Sequence, residues 1–275
     1  MTTFVDVPAG RLHVVDEGDG PVVVLLHAGI VDLRSWDRMV PPMLDAGLRV
    51  IRYSARGHGR STTADVEFSD VDDLVAVLDA LGVEQAVLVG NSRGGSLAIE
   101  AALAHPDRVR GVVAVAAGVS GFEPPLTATE DAMVAELDRL EEADPPAADA
   151  IAELDVRLWV DGPGQPADRV DPEVREYVRD VDAALNAPGQ VRGRRRRPDL
   201  DAAPRVAGLT MPVVAVAGGL DLSYVVPTAL LLAERVPRGR AVIWPDVAHL
   251  IGLEVPDRLA ALVVDVVAGL DDATG

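Results

Sequence analysis

Five residues, Gly90-Asn91-Ser92-Arg93-Gly94, join a continuous apolar run at 86–89 to an apolar helical pattern at 97–104, and this junction limits the possible folds more than any other feature. A short run that is apolar throughout reads as a strand covered on both faces. A helix starting so soon after it requires a sharp turn, and glycines bracket that turn because bulky neighbours do not fit there. The turn holds the Ser92 hydroxyl out above the strand end. The helix beginning there aims unpaired backbone N–H groups, and the positive end of its dipole, at the same spot.

The alternation continues along most of the chain. Strands are expected at 4–7, 12–16, 22–26, 48–53, 109–116, 212–217 and 241–244, and helices at 36–45, 70–81, 228–235 and 256–268. Strands alternating with helices imply βαβ units, hence an α/β fold with a mostly parallel central sheet flanked by helices. Between 120 and 206 the pattern becomes acidic helical segments broken by prolines, with no strand expected. The organisation read from this is a core of residues 1–121 and 205–275 with a helical lid, residues 122–204, inserted between core strands. In the lid, Met133, Leu137, Leu140, Leu154, Leu158 and Trp159 recur at helical spacing, which suits packing against the core more often than a substrate-facing surface. Arg194, Arg195, Arg196 and Arg197 read as a solvated loop.

Composition narrows the partners. With 25 Lys+Arg against 44 Asp+Glu, the 275-residue chain carries a formal charge of −19. Such acidity repels phosphate backbones and anionic lipid, so neither nucleic acid nor a membrane surface is expected as a partner. The absence of cysteine removes disulfides, thiolate metal sites and a cysteine nucleophile together. Residues 1–10 show no basic-then-apolar leader, and no apolar stretch approaches the ~20 residues of a spanning helix. A cytoplasmic location is expected. No histidine pair stands at metal-ligand spacing and no P-loop lysine follows the glycine-rich turns, so no metal and no cofactor are expected.

A serine hydroxyl becomes a nucleophile when a base takes its proton and a third group orients that base. Five histidines are available: His13, His27, His58, His105 and His249. His13 lies in an early strand and His105 at a helix end. His27 and His58 sit beside glycine-containing turns. His249 follows the last expected strand, where a loop can reach back over the strand ends, and order and position select it as the base. Asp221 follows the strand at 212–217 and is expected to orient the imidazole. Asp246 is the rival, but only three residues from His249 it more readily shapes that turn.

These residues carry a family resemblance. The sequence resembles the α/β-hydrolase superfamily, serine hydrolase branch, over nearly the whole chain outside the lid. Beyond the serine turn, His27-Ala28-Gly29 with Trp36 is similar to the family's strand-end H-G segment. Tyr53-Ser54-Ala55-Arg56-Gly57-His58-Gly59-Arg60-Ser61 resembles its Y-D-x-R-G-x-G-x-S turn, and His249 to Pro256 its tail H-x-x-x-x-E-x-P. The resemblance implies an oxyanion hole made by the backbone N–H groups of Gly29 and Arg93, with His27 pinning its loop and His58 fixing a turn. Two departures stand out. Ser54 occupies the place of a common Asp, and Ala28 that of a common Gly. Dehalogenases and epoxide hydrolases of this fold use an Asp nucleophile, which Ser92 replaces.

The implied activity is hydrolysis of a small-molecule carboxylic ester or lactone through an acyl-enzyme, as in carboxylesterases and enol-lactone hydrolases. The alternatives are the same triad acting on a C–C bond or as a perhydrolase, and a non-hydrolytic ligand-binding member of the fold. Substrate contacts are expected from Arg93, Ala28, Ile30 and Trp159. The Arg93 guanidinium can bind an anionic group on a substrate or pair internally; the cost of burying it unpaired favours the internal pair. A homodimer is allowed.

Overall fold

The computed structural model describes residues 1–143, 145, 147–196 and 201–271. Eight strands build its central sheet: β1 (Thr2–Val7), β2 (Gly10–Glu17), β3 (Val22–Leu26), β4 (Arg49–Tyr53), β5 (Ala86–Asn91), β6 (Val109–Val115), β7 (Val213–Gly218) and β8 (Gly239–Trp244). Their spatial order is β1-β2-β4-β3-β5-β6-β7-β8, with the two-residue strand Thr62–Thr63 added beside β2. β1 pairs antiparallel with β2, and β2 with β4; every later pair is parallel. The helices are α1 (Val40–Asp45), α2 (Asp70–Ala80), α3 (Arg93–Ala104), α4 (Ala128–Glu141), α5 (Ala148–Asp155), α6 (Pro172–Leu185), α7 (Val225–Arg235), α8 (Ile251–Glu254) and α9 (Pro256–Asp271).

Period-two side-chain direction explains why the inner strands are apolar throughout. Val24, Leu26, Leu88, Val112 and Ala215 face a core completed by Leu74 and Leu78 of α2, Leu97 of α3 and Leu232 of α7. Their neighbours Val23, Leu25, Val87, Val89, Val113 and Val216 face a second core, with Met43 of α1 and Leu259 and Val263 of α9. Each buried Val, Leu or Met among them contributes about 1.5–3 kcal/mol. The sheet is thereby fixed from both sides, and its strand ends become a rigid platform.

Two expectations change. The helix expected at 36–45 is a 3-10 turn, Leu33–Met39, followed by α1. Asp32 caps the turn, its carboxylate accepting from the Arg34 N–H at 2.9 Å. Pro41 and Pro42 lack the N–H groups a continuous helix would need there and fit only a first turn. The stretch expected to lack strands also holds a short one. Arg194–Arg195 pairs in parallel with Glu67–Phe68, and Arg194 meets Asp65 at 2.7 Å while Arg195 meets Asp70 at 3.5 Å. The arginine run is therefore partly docked on an acidic segment rather than simply solvated. Arg197 lies outside the described residues.

Between β6 and β7 come α4, α5 and α6, with a π-helical stretch, Val156–Asp161, directly after α5. Leu154, Leu158 and Leu222 form one cluster there, with Met133, Leu137, Leu140, Trp159 and Tyr224 packed against it. No helix among the described residues is long and apolar enough to cross a membrane.

Candidate active site

Parallel strands deliver their loops to one edge, so β3, β5, β7 and β8 bring residues far apart in sequence to a common rim. Ser92 stands where β5 meets α3, with φ 54° and ψ −116°, a conformation that an L-residue adopts only under local compulsion. Its backbone N–H is held by the Val115 carbonyl at 2.8 Å. The compulsion comes from how tightly the turn closes. A Cβ on Gly90 would stand 2.0 Å from the Gly94 carbonyl oxygen, and one on Gly94 would stand 2.1 Å from that of Leu26.

His249 Nδ1 meets Asp221 Oδ2 at 2.8 Å, and the other Asp221 oxygen accepts from the Leu222 N–H at 2.7 Å. Both residues are buried, His249 to 2% exposure. A carboxylate on Nδ1 makes that nitrogen the N–H and leaves Nε2 as the basic one. The His249 carbonyl accepts from Asn91 Nδ2 at 3.0 Å, which ties the imidazole loop to the residue before Ser92. Among the described residues Ser92 Oγ makes no hydrogen bond, to Nε2 or any other group. Such contacts commonly tighten only when substrate binds. Asp246 is exposed and pairs with Arg258 at 3.1 Å, so it faces away from the imidazole.

Gly29 follows β3 and Arg93 opens α3; among the described residues neither backbone N–H has an acceptor. Apart from its two chain neighbours, nothing among the described residues lies within 4 Å of where a Gly29 Cβ would stand. Two histidines hold the surrounding loops. His27 donates from Nδ1 to the Ala28 carbonyl at 2.7 Å and accepts at Nε2 from the Ala55 N–H at 2.9 Å. Burial, with His58 nearby, lowers its pKa to about 3. His58 places its ring nitrogens 2.9 Å from the Arg56 and Gly29 carbonyls, and burial with the nearby Arg93 charge lowers it to about 4. Arg56, whose sequence neighbour Ser54 replaces the common Asp, is paired instead with buried Asp73 through two contacts of 2.7 Å.

The Arg93 side chain points to Asp70, with Nη2 and Nε donating to its two oxygens at 2.7 and 3.1 Å. Burial alone would raise the Asp70 carboxyl, but the Arg93 charge and hydrogen bonds outweigh it and hold it below its ordinary value. This is the internal pair, and it engages Nε and Nη2 of the Arg93 guanidinium. Ala28 is buried to 2% in a cluster with Val31, Val156 and Leu250, and Ile30 packs at its edge. Trp159 lies against the His249 ring, centroids 4.5 Å apart.

Sequence reasoning missed three features of this neighbourhood, one residue and two pairs. Asn91 was visible inside the serine turn, but nothing there indicated that its amide reaches the His249 loop. Glu254 was visible in the tail motif; its partner Arg169 was not. Arg169 pairs with Glu254 and donates to the Val160 and Asp161 carbonyls, while Glu254 accepts from the Ala248 N–H. The buried pair Asp155 and Asp182 carried no signal. Among the described residues no cluster of three or more His, Asp or Glu is arranged to hold a metal ion.

A family model described as alpha/beta hydrolase fold matches residues 21–256. The chain is similar to a 2-hydroxymuconate semialdehyde hydrolase of Pseudomonas sp. (strain CF600), 32% identical over 96% of this chain and 92% of the relative. It is also similar to epoxide hydrolase B of Mycobacterium tuberculosis, 38% identical, but over 40% of this chain and about a third (34%) of that relative's length. Among solved structures it resembles Est816, described as an N-acyl homoserine lactone degrading enzyme, with 27% identity and a TM-score of 0.72 over 95% of this chain and 98% of that one. The enol-lactonase of Burkholderia xenovorans shares the fold at a TM-score of 0.77, with 22% identity over 97% of this chain and 100% of that one.

Proposed function

The chain belongs to the alpha/beta hydrolase fold family, and from that premise we propose that it is a serine hydrolase of small-molecule carboxylic esters or lactones. Ser92 Oγ attacks the carbonyl carbon while its proton passes to Nε2 of His249. The imidazolium so formed is held by Asp221. The N–H groups of Gly29 and Arg93 receive the charge that develops on the carbonyl oxygen, a contribution of about 3–4 kcal/mol per donor in such sites. The leaving alcohol takes the proton from His249, and the acyl group remains on Ser92. Water, deprotonated by His249, then attacks the acyl carbon, releasing the acid and restoring the Ser92 hydroxyl. Residues 122–204 act as the cap over a core of 1–121 and 205–275. One observation carries this reading: the buried 2.8 Å contact of His249 with Asp221, on a loop whose carbonyl is tied to Asn91 beside Ser92.

Epoxide opening is disfavoured because the turn holds Ser92 where that chemistry needs a carboxylate. Carbon–carbon bond hydrolysis is the second reading. The relation to a hydrolase named for 2-hydroxymuconate semialdehyde, a compound with neither an ester nor a lactone bond, favours it. The Arg93–Asp70 pair weighs against it, since that compound carries a carboxylate and the guanidinium that follows the serine in sequence is engaged by Asp70. Pre-steady-state hydrolysis of p-nitrophenyl acetate tests the proposal. A burst of about one p-nitrophenolate per Ser92 is expected, with Ser92→Ala lowering turnover by at least about a thousandfold. Turnover that survives Ser92→Ala unchanged refutes the acyl-enzyme.

A further inference from the structure

The Trp159 indole stands on the His249 ring at 4.5 Å between centroids, the planes tilted by 48°. Its Nε1 donates to Asp155 Oδ1 at 2.7 Å. Trp159 lies within the π-helical stretch Val156–Asp161, a wide and rarely used form that tends to occur where a side chain must be aimed. The stretch ends at Gly162 with φ 91°, where a Cβ would stand 2.4 Å from the carbonyl oxygen of Leu220, the residue before Asp221. One short segment thus presses on the loops of both His249 and Asp221.

The anchor of that segment is unusual. Asp155 at the end of α5 and Asp182 on α6 are 3% and 2% exposed, and their carboxyl groups are close neighbours between the two helices. Two carboxylates cannot share a buried contact without a proton between them. Asp182 Oδ2 is also buried with no protein donor. A proton carried by Asp155 supplies the Asp182 carboxyl with a donor and leaves Asp155 Oδ1 free to accept from Trp159. Other charges facing the pair include Glu141 at the end of α4, which adds to the repulsion, and the cation Arg192 beyond α6; Asn186 Nδ2 donates to the Asp182 backbone carbonyl at 3.0 Å. Burial first, then the neighbouring carboxylate, raise Asp155 well above the ordinary carboxylate range, and burial raises Asp182 less.

We propose that Trp159 is a positioning residue for the His249 imidazole, and that one proton shared by Asp155 and Asp182 holds it there. The proposal rests on the reading of His249 as the base. An aromatic face beside the ring fixes its rotation and favours the imidazolium that forms when Ser92 gives up its proton. Loss of the shared proton sets two buried carboxylates against each other across α5 and α6, and Trp159 leaves the ring.

Three measurements test this. In p-nitrophenyl acetate hydrolysis, Trp159→Leu is expected to lower kcat about tenfold, with the acid limb of the pH profile moved to lower pH because the imidazolium loses its aromatic neighbour. Asp155→Leu should reproduce that loss. The wild type should lose activity in alkali as the shared proton leaves; Asp155→Asn, which keeps the acceptor for Trp159 and offers an N–H to Asp182 without a titratable proton, should recover most of the rate and lack that alkaline loss. Trp159 emission, taken as wild type minus Trp159→Phe, should change as the pH rises to about 9.5, and the alkaline part of that change should be absent in Asp155→Asn. A wild-type kcat and pH profile in Asp155→Leu, or a flat Trp159 emission in the wild type, overturns the proposal. The emission titration needs no turnover, so it decides the shared proton even if Ser92→Ala refutes the acyl-enzyme.

Discussion

Replacing Asp70 by Ala isolates what the Arg93 guanidinium requires. Asp70 is 7% exposed and the Arg93 side chain 20%, and the two make a bidentate contact, with Arg195 3.5 Å from one of the same oxygens. Removing one member of a buried pair typically costs about 3–5 kcal/mol, because the survivor stays charged without a partner. Arg93 keeps a fifth of its side chain in solvent, so the lower end applies, about 3 kcal/mol. For a chain of this size that corresponds to a fall in Tm of about 6–12 °C. The double variant Asp70→Leu with Arg93→Leu removes both charges and should lose only about 1 kcal/mol. Because Arg93 also supplies a backbone N–H at the serine turn, Asp70→Ala should lower kcat/KM for a neutral ester about tenfold. The freed guanidinium should favour carboxylate-bearing esters relative to neutral ones. Urea denaturation, together with hydrolysis of a matched pair of neutral and anionic esters, measures all of this. A double variant as unstable as the single one would refute the account, since the penalty would then not come from an unpaired cation.

The remaining predictions are briefer. Asp221→Asn should lower kcat by about ten-thousandfold by disturbing the imidazole tautomer, whereas Asp246→Asn, on the exposed side of the same loop, should stay within about twofold on a p-nitrophenyl ester. Acid should destabilise the protein through His27. Its folded pKa, lowered to about 3, lies below the ordinary 6.5, so between these values the unfolded chain binds the proton and the folded chain does not. Stability is therefore complete above pH 6.5 and declines as the pH falls, by ~3 kcal/mol at pH 4 from this residue, with His58 acting in the same direction. Denaturation midpoints measured from about pH 7 to pH 4 should fall, and His27→Gln should flatten the curve; an unchanged slope would remove His27 from the account.

Much of this molecule is legible in one dimension because its determinants are local. A strand apolar at every position must be covered on both faces, which is why the β3, β5, β6 and β7 runs announce a sheet between two helical layers. The glycines around Ser92 are there because a Cβ at 90 or 94 would fall on backbone atoms, so the strained turn is written in residue types. Proline chemistry was equally local at Pro41 and Pro42, yet the periodicity around them suggested a longer helix than their missing N–H groups allow.

Side-chain partners across long separations were not legible, because acidic and arginine residues are abundant and any of them can pair. Arg93 with Asp70, Arg169 with Glu254 and Asp155 with Asp182 span 23, 85 and 27 positions, and no spacing rule distinguishes them from their rivals. The sequence by itself decided the layers, the strand ends and the residue types offered there. Tertiary packing alone decided which charges neutralise each other and which aromatic ring meets His249, since burial sets the strength of those contacts and burial exists only once the sheet and the helices above it have closed.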